Sequence, residues 1–269
     1  MKMNPSLAKR LIRKAQDDGL DAAIKSGYKY AQKNWLPVEQ KWKMYELKER
    51  ITGHPGVGDP LRVYRVDPQK IQYIYAGESV GFISPGNWDI KGKKQVDGWF
   101  FTKMLTKRFE HDVPWKEISE YQIMEDKIQQ RGYVYMMDIP KEEQSVEKLY
   151  EYYMYIDDLY NKIKNEGYKS QREIDTEDDF AKRDKHPALN EIQVRISRDG
   201  VIMPHSGYHR FTICKILGIE SVPVRTSSRH LQWQKIRDDI YQSRSKSELT
   251  PDIQTYVDHP ELEDITDFS

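Results

Sequence analysis

Apolar and polar positions alternate most clearly in the stretch 191–225. Ile192, Val194 and Ile196 fall on one side of an extended chain with polar residues between them, which predicts a half-buried strand. The turn Arg198-Asp199-Gly200 follows, then a short apolar run, Val201-Ile202-Met203, that stops at Pro204. Ser206-Gly207 opens a segment where Phe211, Ile213, Cys214, Ile216 and Leu217 recur at helical spacing until Gly218 ends it. Val222-Pro223-Val224-Arg225 reads as a further strand. Leu231, Trp233, Ile236 and Ile240 predict a helix over 229–242.

Upstream, the pattern is helical first. Residues 5–33 place Leu7, Leu11, Ile12 and Ala15, then Leu20, Ala23 and Ile24, opposite a face of Lys and Arg. Such a helix either lies on an anionic membrane or polyanion or packs with its basic side in water; the thin, alanine-rich apolar face favours packing. A second helical stretch runs from Pro37 to Arg50. The cluster Gly53 to Pro60 then marks a linker and domain boundary. Its G-x-G follows no strand, so it does not read as a nucleotide loop. Leu61 to Tyr75 is β-type. Residues 77–98 form a long glycine-rich loop with a basic patch at Lys91, Lys93 and Lys94; loops of this kind are often functional. Within it Asp89 is the candidate reactive carboxylate and metal ligand, and Trp88 a packing or stacking ring. Helices are predicted over 97–109, 114–131 and about 146–166; the tyrosines of the last recur at core spacing, although such a stripe can also stack on bases.

Composition narrows the classes. In 269 residues, 43 Lys+Arg balance 43 Asp+Glu, so no global field advertises nucleic acid, although the first fifty residues are basic and the last twenty-five acidic. The single Cys214 excludes an internal disulfide and a cysteine-built zinc site. Together with the lack of a long apolar run, this predicts a soluble cytoplasmic protein whose residues 5–33 are its candidate membrane contact. Eighteen Tyr and six Trp argue against extensive disorder.

A helix that starts Gly207-Tyr208-His209-Arg210 after a strand is a candidate anion site: first-turn N–H groups and the helix dipole both favour negative charge. Arg225, Arg229 and His230, beyond the next strand, are candidates to flank it. His205 and His209, four apart, suggest a metal pair, but Pro204 puts His205 before the helix and no third ligand is apparent.

The segment EIQVRISRDGVIMPHSGYHRFTICKILGIESVPVRTSSR, Glu191 to Arg229, resembles the ParB/sulfiredoxin-like superfamily, whose signature is a strand, a Gly-x-[His/Arg]-Arg turn, a helix ending in Leu-Gly and a "vPV" strand. LYNKIKNEGY (159–168) is similar to that family's preceding helix, VDPQKIQYI (66–74) to its first strand, and GNWD, DVPWKE and RHLQWQ to segments of archaeal ParB-like proteins. The resemblance covers about two-thirds of the chain. It implies that Ser206, Gly207, Tyr208, His209 and Arg210 hold the phosphates of a nucleotide, ATP or another triphosphate with Mg2+, and that a carboxylate after the first strand, Glu78 or Asp89, is reactive. Tyr208 stands where sulfiredoxins have their reactive cysteine, and no helix-turn-helix follows, so sulfinic-acid repair and centromere binding are not expected.

The expected architecture is α+β: a small mixed sheet of ParB/sulfiredoxin-like type over 61–242, with a helical insertion over about 97–166, a basic helical arm over 1–52 and an acidic tail over 243–269. The expected activity is ATP-dependent phosphotransfer to a small-molecule hydroxyl, with Asp89 as base and His209 assisting. The alternative is a non-catalytic, nucleotide-switched protein that binds DNA or a partner.

Overall fold

The computed structural model describes residues 38–134, 139–174 and 186–268. The predicted helix over 5–33 lies outside them. The fold is α+β, and its centre is a mixed open sheet. Strands β1 (Val63–Val66), β7 (Val222–His230), β5 (Ile192–Ile196) and β6 (Ile202–Ser206) lie side by side in that order, and β3 (Ile83–Ser84) runs beside the far half of β7. β5 and β3 are parallel to β7; β1 and β6 run antiparallel to their neighbours. A separate hairpin pairs β2 (Tyr73–Tyr75) with β4 (Lys93–Gln95).

The alternation that predicts β5 also explains its burial. Ile192, Val194 and Ile196 are fully buried on one face, where they meet Val222 and Val224 of β7 and the apolar side of a helix. That helix, Tyr208–Ile216, is the sixth α-helix among the described residues and is called α6; α1 is Val38–Ile51, α2 Trp88–Lys91, α3 Phe100–Phe109, α4 Ser119–Arg131 and α5 Val146–Glu166. Phe211, Ile213 and Cys214 of α6 pack on the sheet, and α3, α4 and α5 build a second layer of Phe101, Met104, Leu105, Tyr121, Met124, Leu149, Tyr153 and Ile156. Each such side chain contributes about 1.5–3 kcal/mol when removed from water, so this layer is an integral half of the core. α5 begins at the cap Ser145, whose hydroxyl accepts from the Lys148 N–H, and ends at Gly167 in a positive-φ conformation. Tyr153 is buried in the core, as its spacing predicts.

Two expectations about boundaries change. The glycine cluster is not a free linker. Val57 is fully buried, and a Cβ on Gly56 would sit 2.7 Å from the Arg237 carbonyl, so only glycine fits there. The acidic segment 243–268 is docked against the core. Helix α7 (Leu231–Gln242) is followed by α8 (Pro251–Gln254) and by a turn of 3-10 helix at Pro260–Leu262 that brings Leu262 and Glu261 into the interior. The Glu261 carboxylate accepts from Arg229 Nε (2.6 Å) and Trp233 Nε1 (2.9 Å) and pairs with Arg237 Nη1 (3.1 Å). Arg229 also donates to the Val57 carbonyl, and Arg237 to that of Gly56 and to Asp264. Glu261 and Asp264 thus supply the carboxylates that the two buried guanidiniums require.

Candidate functional site

β6 delivers the chain to the turn at Ser206-Gly207. Gly207 adopts φ +75°, and a Cβ there would approach the Ile192 Cα and the Arg210 guanidinium to 3.2 Å. The conformation and the space both demand glycine. The first α6 amide to bond back is that of Phe211, to the Gly207 carbonyl (3.0 Å), so the N–H groups of residues 208–210 point out past the helix end. Ser206 is exposed at this opening.

The side chains of the turn mostly face inward. The Tyr208 hydroxyl donates to the Tyr75 carbonyl. His209 sits among Phe101, Tyr152 and Tyr153, edge-on to Phe101 at 5.2 Å, with Nδ1 3.2 Å from the Tyr152 hydroxyl. Arg210 donates to the Asn190 carbonyl (2.6 Å) and the Tyr168 hydroxyl (3.3 Å). Its charge is also felt by Glu191, a carboxylic acid 2 % exposed whose pKa burial pushes up to about 7. Arg210 therefore braces the strand β5 entrance against α6, and His209 packs the helical layer against the turn. An anion at this turn would therefore meet backbone N–H groups rather than these side chains.

The other predicted residues lie elsewhere. Asp89, 2 % exposed, accepts from the Arg198 N–H (3.0 Å) and from its guanidinium at 2.8 and 2.7 Å. Burial alone would raise its pKa, but the Arg198 side-chain and backbone hydrogen bonds and the nearby charges of His230 and Arg198 hold it below the ordinary carboxylate range. Arg198 lies at the β5–β6 turn, the end of these strands remote from Ser206, roughly 15 Å away along a five-residue strand. The structure thus does not bring Asp89 to the Ser206-Gly207 turn, and both its oxygens are engaged by Arg198. Trp88 is a packing ring, edge-on to Tyr75 at 5.5 Å. Arg229 belongs to the Glu261 network and does not flank the turn. Among the described residues no group of three His, Cys, Asp or Glu is placed to hold a metal ion. His205 and His209 diverge, and burial pushes the Cys214 thiol up to about 12, as befits an inert core residue.

Arg225 is the exception, because it belongs to a group that the strand pattern conceals. The β5–β6 ladder passes from Gln193–Ser206 to Val194–Pro204 and skips His205. The β5–β7 ladder passes from Val194–Thr226 to Arg195–Ser228 and skips Ser227. Two bulges thus flank Val194, one on each neighbouring strand, and each re-aims one side chain. His205 Nε2 and Ser227 Oγ meet at 2.6 Å, and Ser227 Oγ donates to the Val194 carbonyl at 3.0 Å. Two arginines adjoin them. Arg225 donates to the Pro60 carbonyl (3.0 Å) and Gln193 Oε1 (3.3 Å), and lies over the Trp42 ring. Arg195, only 5 % exposed, donates to the Glu78 carbonyl (2.8 Å) and stands over the Tyr75 ring at 4.0 Å. Burial, then the charges of Arg195 and Arg225, push His205 down to about 3, so its imidazole is neutral at ordinary pH.

A serine–histidine contact invites a nucleophilic reading, and the magnitudes argue against it. A base effective near neutrality needs a pKa near 7. About 3 leaves His205 roughly four orders of magnitude too weak, and among the described residues no carboxylate orients it. The sequence offered little sign of this cluster: alternation misplaces both bulged residues, and TSSRH, the polar second half of β7, does not look like a strand. No family model, curated protein or solved structure matches the chain.

Proposed function

We propose that the chain binds a nucleotide through its phosphates at the open end of α6, on a core of ParB/sulfiredoxin-like type, and that binding rather than phosphoryl transfer is its activity. One observation carries this reading: Gly207, held left-handed against Ile192, starts a helix whose first bonded amide is that of Phe211, so the preceding amides have no intrahelical partner, beside the exposed Ser206. Transfer is disfavoured because the expected base, Asp89, is tied to Arg198 at the opposite end of the strands. A magnesium ion in this reading travels with the nucleotide, on phosphate oxygens and water. A nucleotide-switched binding protein, with DNA or protein as its partner, is the class that fits these features best.

Ser206→Asp tests it. Ser206 is exposed, and a carboxylate at a helix N-terminus stabilises the helix by about 0.3–1 kcal/mol, so the variant stays folded. Titration calorimetry with ATP, CTP and GTP, each with and without Mg2+, should show binding to wild type and at least about tenfold weaker binding to the variant. Equal affinities, or no nucleotide bound by wild type, sink the reading. Turnover of an acceptor that Asp89→Asn abolishes would replace binding by transfer.

A further inference from the structure

We infer that the bulge-built cluster of Arg195, His205, Arg225 and Ser227 is a separate binding site for a compact oxyanion of the phosphate class. The inference does not depend on what the α6 turn binds. It starts from Arg195. A guanidinium stays charged inside proteins and is costly to bury without an opposite charge or a full set of hydrogen bonds. Here it has one carbonyl and one aromatic face, while its buried Nε has no hydrogen-bond partner among the described residues, and no carboxylate among them forms an ion pair with it. Outside this cluster the buried arginines have a carboxylate: Arg229 and Arg237 share Glu261. Arg195 is built differently.

The second observation is the pair of bulges. A bulge interrupts a ladder, and in a parallel pair such as β5–β7 it is rare. Two of them around one residue bring His205 and Ser227 together beside the arginines. An oxyanion would take over the Ser227 O–H now given to the Val194 carbonyl and the imidazole N–H now given to Ser227 Oγ, and the guanidinium supplies charge and a planar fork. That combination suits a tetrahedral oxyanion. The group also has a mouth: Gln193, His205 and Ser227 are half-buried, whereas Arg195 lies beneath them. A cation is excluded by the charge of the lining, and an apolar ligand by its polarity.

The arrangement also predicts coupling to protons. Burial, and after it the Arg195 and Arg225 charges, keep His205 neutral; a bound dianion offsets the charges, so the imidazole gains affinity for a proton when the site fills.

Inorganic phosphate and adenosine monophosphate are the probes, titrated into the full chain by calorimetry and by 15N–1H spectra of the imidazoles. Phosphate should bind and shift the His205 resonances. Ser227→Ala should weaken binding about tenfold and Arg195→Gln about a hundredfold, the losses expected for a neutral and a charge-assisted hydrogen bond. Both variants are first confirmed folded by their spectra; should Arg195→Gln not fold, Ser227→Ala and the His205 signals decide alone. Monophosphate binding with the same response marks a phosphomonoester site, and phosphate alone a free-ion site; both support the inference. Unmoved His205 signals, or affinity unchanged by Ser227→Ala, overturn it. Because nucleotide binding at the turn is read by Ser206→Asp, the two sites fail separately.

Discussion

Glu191 provides the sharpest test of the energetics. It precedes β5, is 2 % exposed, accepts the Gln171 N–H at 2.7 Å through Oε1, and has a buried Oε2 with no hydrogen-bond partner among the described residues. Burial raises its pKa to about 7 from an ordinary 4.5; the Gln171 N–H and the Arg210 charge oppose the rise without cancelling it. Between those values the folded chain retains a proton that the unfolded chain has released, so stability falls as pH rises. The penalty is absent below 4.5 and complete above about 7. At 1.36 kcal/mol per pK unit its ceiling is about 3 kcal/mol. Glu191→Gln keeps the shape and the acceptor while staying neutral. Urea unfolding of both proteins at pH 5 and pH 8 should show the variant gaining about 2–3 kcal/mol relative to wild type between the two, whatever constant offset the substitution adds. A relative change below about 0.5 kcal/mol, or one of opposite sign, would show that Glu191 is ionised and compensated in the fold, and the description of Arg210 as a brace beside a neutral acid would be wrong.

The remaining predictions concern the interior of the C-terminal segment. Glu261→Gln leaves Arg229 and Arg237 sharing no carboxylate in the core and should cost about 3–5 kcal/mol in urea unfolding; a loss under about 1 kcal/mol would mean water already reaches the pair. The same carboxyl is held at about 2 although burial opposes this, because the Arg229 and Arg237 charges outweigh burial; its contribution is present above 4.5 and should disappear as pH falls through about 2, a loss of acid stability that Glu261→Gln should not show. Leu262→Ala should cost about 2–5 kcal/mol if this turn is true core, and under about 1 kcal/mol if it only rests on the surface.

Much of the scaffold was legible in the residue pattern. β5, α3, α4, α5, α6 and α7 follow from alternation, helical spacing and closing glycines, because each buries one regular face. Four features were not. The buried Gly56 to Gly58 segment reads as a linker, since the close backbone contacts that demand glycine at 56 and 58 look in sequence like turn punctuation. The stretch Glu261 to Asp264 reads as a solvated tail, since its arginine partners are far away along the chain. β7 continues through TSSRH because its polar side chains find partners on both sides. The bulges are invisible, since one skipped residue only looks like a fault in the alternation. At the turn, Gly207 could be placed from sequence, but the inward orientation of Tyr208, His209 and Arg210 is a tertiary effect of Tyr75, Tyr152, Tyr168 and Asn190.

The paired bulges around Val194 separate what holds the sheet together from what gives one face its chemistry. Excising the single residue Ser227 would restore regular pairing between β5 and β7 and delete the hydroxyl that meets His205. A lineage that lost that one codon would keep a sheet of the same shape while surrendering its ligand, so chains of this architecture that differ in length by one residue here should be sorted by what they bind and not by how they fold.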